Sequence, residues 1–218
     1  MPLALFDLDN TLIAGDSDHG WGEFLVGKKI VDADYYKKMN DQFYQDYQNG
    51  QLNMSAYLDF SLAPLGKLGC AKLKQLHNQF MVEVIEPLWL PKAETLLQKH
   101  RNSGDTLMVI TSTNRFVVEP ICDKLGVEHL IATELEQKNN QYTGQVSGVP
   151  SYKEGKVTRL NQWLKQSDLS MADSSFYSDS INDLPLLEIV DHPVAVDPCS
   201  QLRAVALQRG WDIISLRD

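Results

Sequence analysis

Leu3-Ala4-Leu5-Phe6-Asp7-Leu8-Asp9-Asn10-Thr11 opens the 218-residue chain with four apolar residues in succession and stops them at a carboxylate. A short unbroken apolar run that ends abruptly in polar residues is the pattern of a strand covered on both faces. Its carboxyl end is therefore a place to look for chemistry. Two aspartates two positions apart point to opposite sides within a strand, but as the chain leaves the strand they can converge on one pocket. In isolation the same pair also reads as a helix cap or a turn.

Working outward, a second apolar run at 107–110 ends in Thr111-Ser112-Thr113-Asn114, and a third strand is expected at 130–132. Phe176-Tyr177 leads into Ser178-Asp179-Ser180-Ile181-Asn182-Asp183, and further strands are expected at 194–196 and 213–214. Between them the spacing predicts helices over 91–101, with Pro91 at a first helical position, and over 115–125, closed by Gly126. Others are expected over 154–165, from 183 to 190, and over 200–208. The polar turn at 138–141 suits a hairpin or an irregular excursion. Strands alternating with helices imply an α/β fold, a doubly wound parallel sheet of Rossmann-like type with functional residues beyond the carboxyl ends of its strands. Residues 15–88 break that alternation with a helical pattern. Tyr35, Tyr36, Met39, Phe43, Tyr44 and Tyr47 recur at helical spacing there, as do Leu73, Leu76 and Phe80, and both sets read as core between helices. The expected division is a core of 1–14 with 89–218 and a helical insertion of 15–88.

Twenty Lys and Arg against 29 Asp and Glu leave a formal charge of −9. No basic stripe is present to displace counterions from nucleic-acid phosphates, so no nucleic-acid partner is expected. No apolar run approaches the roughly 20 residues that span a bilayer, so no membrane partner is expected. The first residues lack a basic segment and meet Asp7 early, unlike a signal peptide. Cys70, Cys122 and Cys199 are scattered without CxxC spacing and read as reduced thiols of a cytoplasmic protein.

Four acids (Asp7, Asp9, Asp179 and Asp183), a hydroxyl at Thr111 and a lysine opening the helix after 153 are all expected at one sheet edge. Such a concentration of carboxylates makes sense around a cation, and hard oxygen donors suit magnesium, which also takes substrate phosphate. One carboxylate can then attack phosphorus, a second can move the proton, and the lysine and hydroxyl offset charge on the transferring group. Lys153 and Lys156 both fit the lysine position, and the apolar periodicity of Val157, Leu160 and Leu164 favours Lys156. Gly155-Lys156 is not a P-loop, because Val157 replaces the required hydroxyl and Pro150 the first glycine. Nor is 179–183 a calcium loop, since its ligand alternation is broken.

In that order and those contexts, Asp7-x-Asp9-x-Thr11, Thr111, Lys156 and Asp179-x3-Asp183 resemble the four motifs of the haloacid dehalogenase superfamily of aspartyl-phosphate phosphatases. The resemblance spans positions 7 to 183. It implies that Asp7 is nucleophile and metal ligand, and that Asp9 is general acid and base with its carbonyl on magnesium. It makes Asp179 a metal ligand, Asp183 a ligand through water or an orienting group, and Asn182 a neighbour of the substrate site. The helical insertion is placed as in the phosphoserine phosphatase branch, where it closes over a small phosphorylated metabolite as a cap. In that branch an acidic residue seven positions beyond the second aspartate holds the substrate ammonium; here it is Asp16. Asp18, His19 and Glu23 crowd the same entrance, and Ser112 and Arg115 beside the second motif complete the candidate substrate contacts.

One departure bears on substrate. That branch uses a cap arginine for the substrate carboxylate, and residues 15–88 contain no arginine. Lysines remain, but a point charge does not replace a bidentate fork. The expected substrate is a phosphorylated amino alcohol without a carboxylate, such as histidinol phosphate. Phosphoserine hydrolysis and phosphoryl transfer to another alcohol are the enzymatic alternatives. A catalytically idle phosphate-binding module is the other, against which every chemical position holds a competent residue.

Overall fold

The computed structural model describes residues 2–217. Leu3–Phe6 forms β1 and is followed by four helices, α1 (Ser17–Gly27), α2 (Ala33–Gln48), α3 (Met54–Lys67) and α4 (Cys70–Phe80). There follow α5 (Pro91–Ser103), β2 (Thr106–Asn114), α6 (Arg115–Leu125) and β3 (His129–Thr133). A hairpin of β4 (Leu135–Lys138) and β5 (Gln141–Val146) precedes α7 (Glu154–Leu164) and β6 (Ser175–Ser178). The chain ends through α8 (Leu184–Leu187), β7 (His192–Val196), α9 (Ser200–Arg209) and β8 (Asp212–Ile214).

Six strands form one sheet in the order β3-β2-β1-β6-β7-β8. All its pairings are parallel. The chain fills one side of β1 with β2 and β3 and the other with β6, β7 and β8. The strand order therefore reverses at β1, and the crevice that such a reversal opens lies beyond Phe6, where Asp7 stands.

Alternation along the strands explains the two faces. Leu3, Leu5, Met108, Ile110 and Phe176 pack with Leu160, Leu186, Leu187 and Leu202 of α7, α8 and α9. Ala4, Phe6, Leu107, Val109 and Tyr177 pack on the other side with Ala93 and Leu97 of α5 and Val117, Val118 and Ile121 of α6. The expected doubly wound sheet is the one observed.

The helices begin and end where side-chain chemistry dictates. Asp32 accepts the Tyr35 N–H at 2.8 Å and Asn53 the Ala56 N–H at 3.2 Å, each satisfying an orphan donor of a first turn. At 138–141 the chain makes a true hairpin: Asn139 and Asn140 both take left-handed backbone, φ 52° and 60°, which a two-residue type I′ turn requires.

Two expectations need correction. The strand over 107–110 extends to Asn114 through an irregularity in its pairing with β3, so Thr111, Ser112 and Thr113 belong to the strand end rather than to a loop after it. The aromatic stripe of α2 is also not uniformly core. Tyr36 is buried, but Tyr35 is 61% exposed, and Phe43, Tyr44 and Tyr47 line a pocket. The reason is that α2 packs on few partners and turns this face toward the polar edge of the sheet.

The insertion also shares a core with the sheet. Trp21, Phe24, Leu25, Leu73, Leu76 and Phe80 belong to the same hydrophobic cluster as the α6 residues, and the His77 ring nitrogen meets the Val117 carbonyl at 2.9 Å. Helix α3 adds Leu58, Leu62 and Leu65 to that cluster and also packs Gly66 against β5: a Cβ there would stand 2.8 Å from the Thr143 carbonyl oxygen, which as backbone cannot swing away. Gly66→Ala is expected to cost about 1–3 kcal/mol of stability, read as a lower denaturant midpoint at unchanged slope.

Candidate active site

The tight turn after β1 assembles the centre. Thr11, Leu12 and Ile13 all send their N–H groups to the Leu8 carbonyl, and Asn10 adopts φ 59°. This folds the chain back so that Asp7, Asp9 and Thr11 share one end of the sheet. Lys156, in the first turn of α7 and 1% exposed, bridges two carboxylates: its Nζ is 2.8 Å from Asp7 Oδ1 and 2.6 Å from Asp183 Oδ1. Ser178 donates to the other Asp183 oxygen at 2.7 Å. The Thr11 hydroxyl lies 3.5 Å from both Asp7 Oδ2 and Asp179 Oδ1 and accepts the Asp179 N–H at 3.1 Å. Asp9 is held at both oxygens, by the Ser17 N–H at 2.6 Å and the Thr113 hydroxyl at 2.8 Å. Thr111 is buried and accepts the Thr113 N–H at 3.2 Å.

Electrostatics follow from burial. Desolvation pushes Asp7 up to about 7 despite Lys156, with Asp183 and Asp9 adding to the rise. Burial likewise raises Asp9 to about 7, helped by Asp16, and lifts Asp179 well above the usual carboxylate range, helped by Asp7 and Asp183. Burial alone would lower Lys156, but Asp183 and Asp7 hold it above its ordinary value. One ammonium facing Asp7, Asp179 and Asp183 leaves negative charge in a place where water cannot compensate it. These oxygen donors therefore fit a hard divalent cation such as magnesium.

Beside this centre lies a pocket of about 440 Å³, counting its open mouth. Asp9, Asp16, Asp18, His19, Ser112 and Thr113 line it with Phe43, Tyr44, Tyr47 and Tyr57, and no lysine or arginine does. Asp16 caps α1, its Oδ1 accepting the Asp18 and His19 N–H groups at 3.0 and 2.8 Å. Burial raises both Asp16 and Asp18 to about 7.

Three candidates stand elsewhere. Arg115 is turned from the pocket: its guanidinium grips Glu134 through Nε at 3.0 and 2.8 Å and through a terminal nitrogen at 2.7 Å, and also donates to the Leu130 carbonyl. A carboxylate already present on β3's exit loop claims the fork. Glu23 does not line the pocket and pairs with Lys37 at 3.2 Å; Lys37 also meets Asp41, which meets the His19 ring at 3.0 Å. Asn182 is spent as a clasp, its amide donating to the Tyr47 carbonyl at 2.9 Å and its oxygen accepting from the Tyr152 hydroxyl at 3.1 Å. Of the two lysines, Lys156 enters the centre, whereas Lys153 donates to the Gly50 carbonyl at 2.8 Å, a second tie to the insertion.

Thr113, Ser178 and Tyr57 escaped the sequence reading. Thr113 carries a signal, since it shares a strand face with Thr111 two residues earlier; Ser178 has only its adjacency to Asp179. Nothing local marks Tyr57, which reaches the pocket because α3 folds over it.

Residues 4–188 match the haloacid dehalogenase-like hydrolase family, and the chain belongs to it. It is an enzyme of that family's phosphatase type, acting on phosphoric monoesters. A histidinol-phosphatase from Neisseria meningitidis is 46% identical over 99% of both chains. The crystal structure of a protein of unknown function from Bordetella pertussis superposes with a TM-score of 0.92 at 42% identity, covering 99% of this chain and 98% of that one. A substrate-bound phosphoserine phosphatase shares the fold, with a TM-score of 0.72 at 20% identity over 99% of this chain and 93% of its own. Among the described residues no helix is long and apolar enough to cross a membrane.

The unpaired carboxylates of the pocket make a stability prediction. A folded-state pKa raised above the unfolded value means that the native state binds more protons between about pH 4 and 7, so the stability of the free protein falls as pH rises through that window. Asp18→Asn removes one such charge while keeping its shape. It is expected to raise the thermal midpoint of the free protein by a few degrees at pH 8, roughly 1 kcal/mol or more, with the gain shrinking toward pH 4; a pH series of melting curves checks both.

Proposed function

We propose that the chain is a magnesium-dependent phosphatase of small amino-alcohol phosphates, with histidinol phosphate the preferred substrate, and that it works through phosphorylated Asp7. The observation that carries this reading is the buried Lys156 held between Asp7 and Asp183 beside a pocket lined by carboxylates without a lysine or arginine. The name of the 46%-identical relative supports the substrate.

In the first step an Asp7 carboxylate oxygen attacks phosphorus and the bond to the leaving alkoxide breaks, while Asp9 gives that oxygen a proton. In the second, water attacks the phosphorus of the acyl phosphate, Asp9 takes the water proton, and Asp7 is released as carboxylate with inorganic phosphate. A carboxyl group held at both oxygens with a pKa of about 7 suits both proton transfers near neutrality. Lys156 anchors one Asp7 oxygen and adds positive charge beside the transferring group. Asp7, Asp179, Asp183 and the Asp9 carbonyl are the groups that would hold magnesium, which when bound supplies further positive charge against the phosphoryl oxygens. Asp16 is assigned to the substrate ammonium. With Arg115 held by Glu134 and no arginine in 15–88, the pocket offers no fork for a substrate carboxylate. Helix α2 and the start of α3, which place Phe43, Tyr44, Tyr47 and Tyr57 over the pocket, keep bulk water from the acyl phosphate.

Phosphate release from p-nitrophenyl phosphate is expected with magnesium, to vanish on chelation, and to fall roughly 10³-fold or more in Asp7→Asn. Equal inertness of wild type and variant with metal present overturns the enzymatic mechanism. Histidinol phosphate is expected to exceed phosphoserine in kcat/KM, and the reverse order overturns the substrate assignment.

A further inference from the structure

Asp18 lies in the pocket with no part in the phosphoryl chemistry, yet it is oriented from two sides. Asn114 caps α6 by accepting the Val117 N–H at Oδ1, at 3.2 Å, which commits its amide oxygen and turns its NH₂ toward Asp18 Oδ1 at 3.4 Å. The Tyr57 hydroxyl approaches the same carboxylate from α3 and favours its charged form. Both neighbours are neutral donors. They orient the charge without cancelling it, and no lysine or arginine lines the pocket to do so, while the His19 ring that does line it is paired with Asp41. Aromatic groups surround it: Phe43 and Tyr57 rings lie 5.4 Å apart, and His19 stacks on Tyr44 at 4.6 Å.

A single primary ammonium needs one carboxylate, and Asp16 is available for it. A second, separately braced carboxylate among aromatic walls matches a flat ring carrying an N–H donor. We propose that Asp18, oriented by Asn114 and Tyr57, is a specificity-determining residue that takes a second basic group of the substrate, an imidazole N–H, while Asp16 takes the primary ammonium. This rests on the amino-alcohol phosphatase reading above and extends it to the part of the substrate that does not react. The same charge works against competitors: a substrate carboxylate placed in this pocket meets Asp16 and Asp18, two like charges, with no arginine to offset them.

The test is the ratio of kcat/KM for histidinol phosphate to that for phosphoethanolamine, which carries the ammonium alone, measured with magnesium. Asp18→Asn is expected to lower this ratio about 10- to 100-fold, as loss of a charge-assisted hydrogen bond does, with the loss of histidinol phosphate activity concentrated in KM. Tyr57→Phe is expected to lower it in the same direction by less, and it decides the matter if Asp18→Asn does not fold. A ratio unchanged by the substitutions, or a wild-type enzyme that does not prefer histidinol phosphate over phosphoethanolamine, overturns the assignment of Asp18. Failure of the wild type to hydrolyse p-nitrophenyl phosphate instead overturns the phosphatase mechanism itself, so the two failures are distinguished.

Discussion

The buried ammonium of Lys156, shared between Asp7 and Asp183, is the constraint on which the rest of the site depends. It ties the end of β1 to the start of α7 and to the turn after β6, elements 149 and 27 residues apart from Lys156 in opposite directions along the chain. Removing one partner of such a buried set leaves an uncompensated charge, a loss of about 3–5 kcal/mol. Its placement is built by backbone that few residues tolerate. Lys153 adopts φ 49° and ψ −122° just before α7, and Gly155 packs directly on the Pro150 carbonyl where any Cβ would collide. These two positions aim Lys156 into the sheet edge rather than along the protein surface.

Around that ion set, charge is balanced unevenly. The centre has one lysine for Asp7, Asp179 and Asp183, and the adjoining pocket has none for Asp16 and Asp18. The acidic balance of the chain thus acquires a location: the most deeply buried of its surplus carboxylates gather at the end of β1 and in the pocket beside it. Aromatic side chains and neutral donors complete the pocket. Helices α1, α3 and α4 all share the core of the sheet, α3 through Leu58, Leu62 and Leu65 and through Gly66 against β5, whereas the end of α2 and the loop after it are tied down by the Asn182 and Lys153 clasps. Helices α1, α3 and α4 therefore form part of the platform, and the face of α2 that carries Phe43, Tyr44 and Tyr47 lies over the pocket.

Much of this was legible along the chain because it depends on local chemistry. Apolar runs ending in carboxylates marked β1 and β6, glycine and asparagine marked helix ends and the hairpin, and the apolar period after Lys156 separated it from Lys153. Residues whose roles depend on distant partners were not legible in that way. Arg115 has the charge and position of a substrate ligand, and Glu134, 19 residues away, diverts it, with the Leu130 carbonyl and Glu119 as further partners. Asn182 sits beside the metal-binding candidates in sequence but is claimed by Tyr47 and Tyr152. The aromatic stripe of α2 has the spacing of a core face, and periodicity cannot distinguish packing against another helix from lining a cavity.

The sequence by itself determined the parallel α/β core, the helical insertion, and the set of acids and the lysine gathered at one sheet edge, because strand periodicity and residue chemistry are properties of short segments. Tertiary structure alone decided which polar groups remain available to a ligand. Asp18 has no cationic partner because its neighbours Asn114 and Tyr57 are neutral, while Arg115 and Glu23 are paired with Glu134 and Lys37. Availability depends on which partner the fold places within hydrogen-bonding distance, and that is set by how distant segments pack.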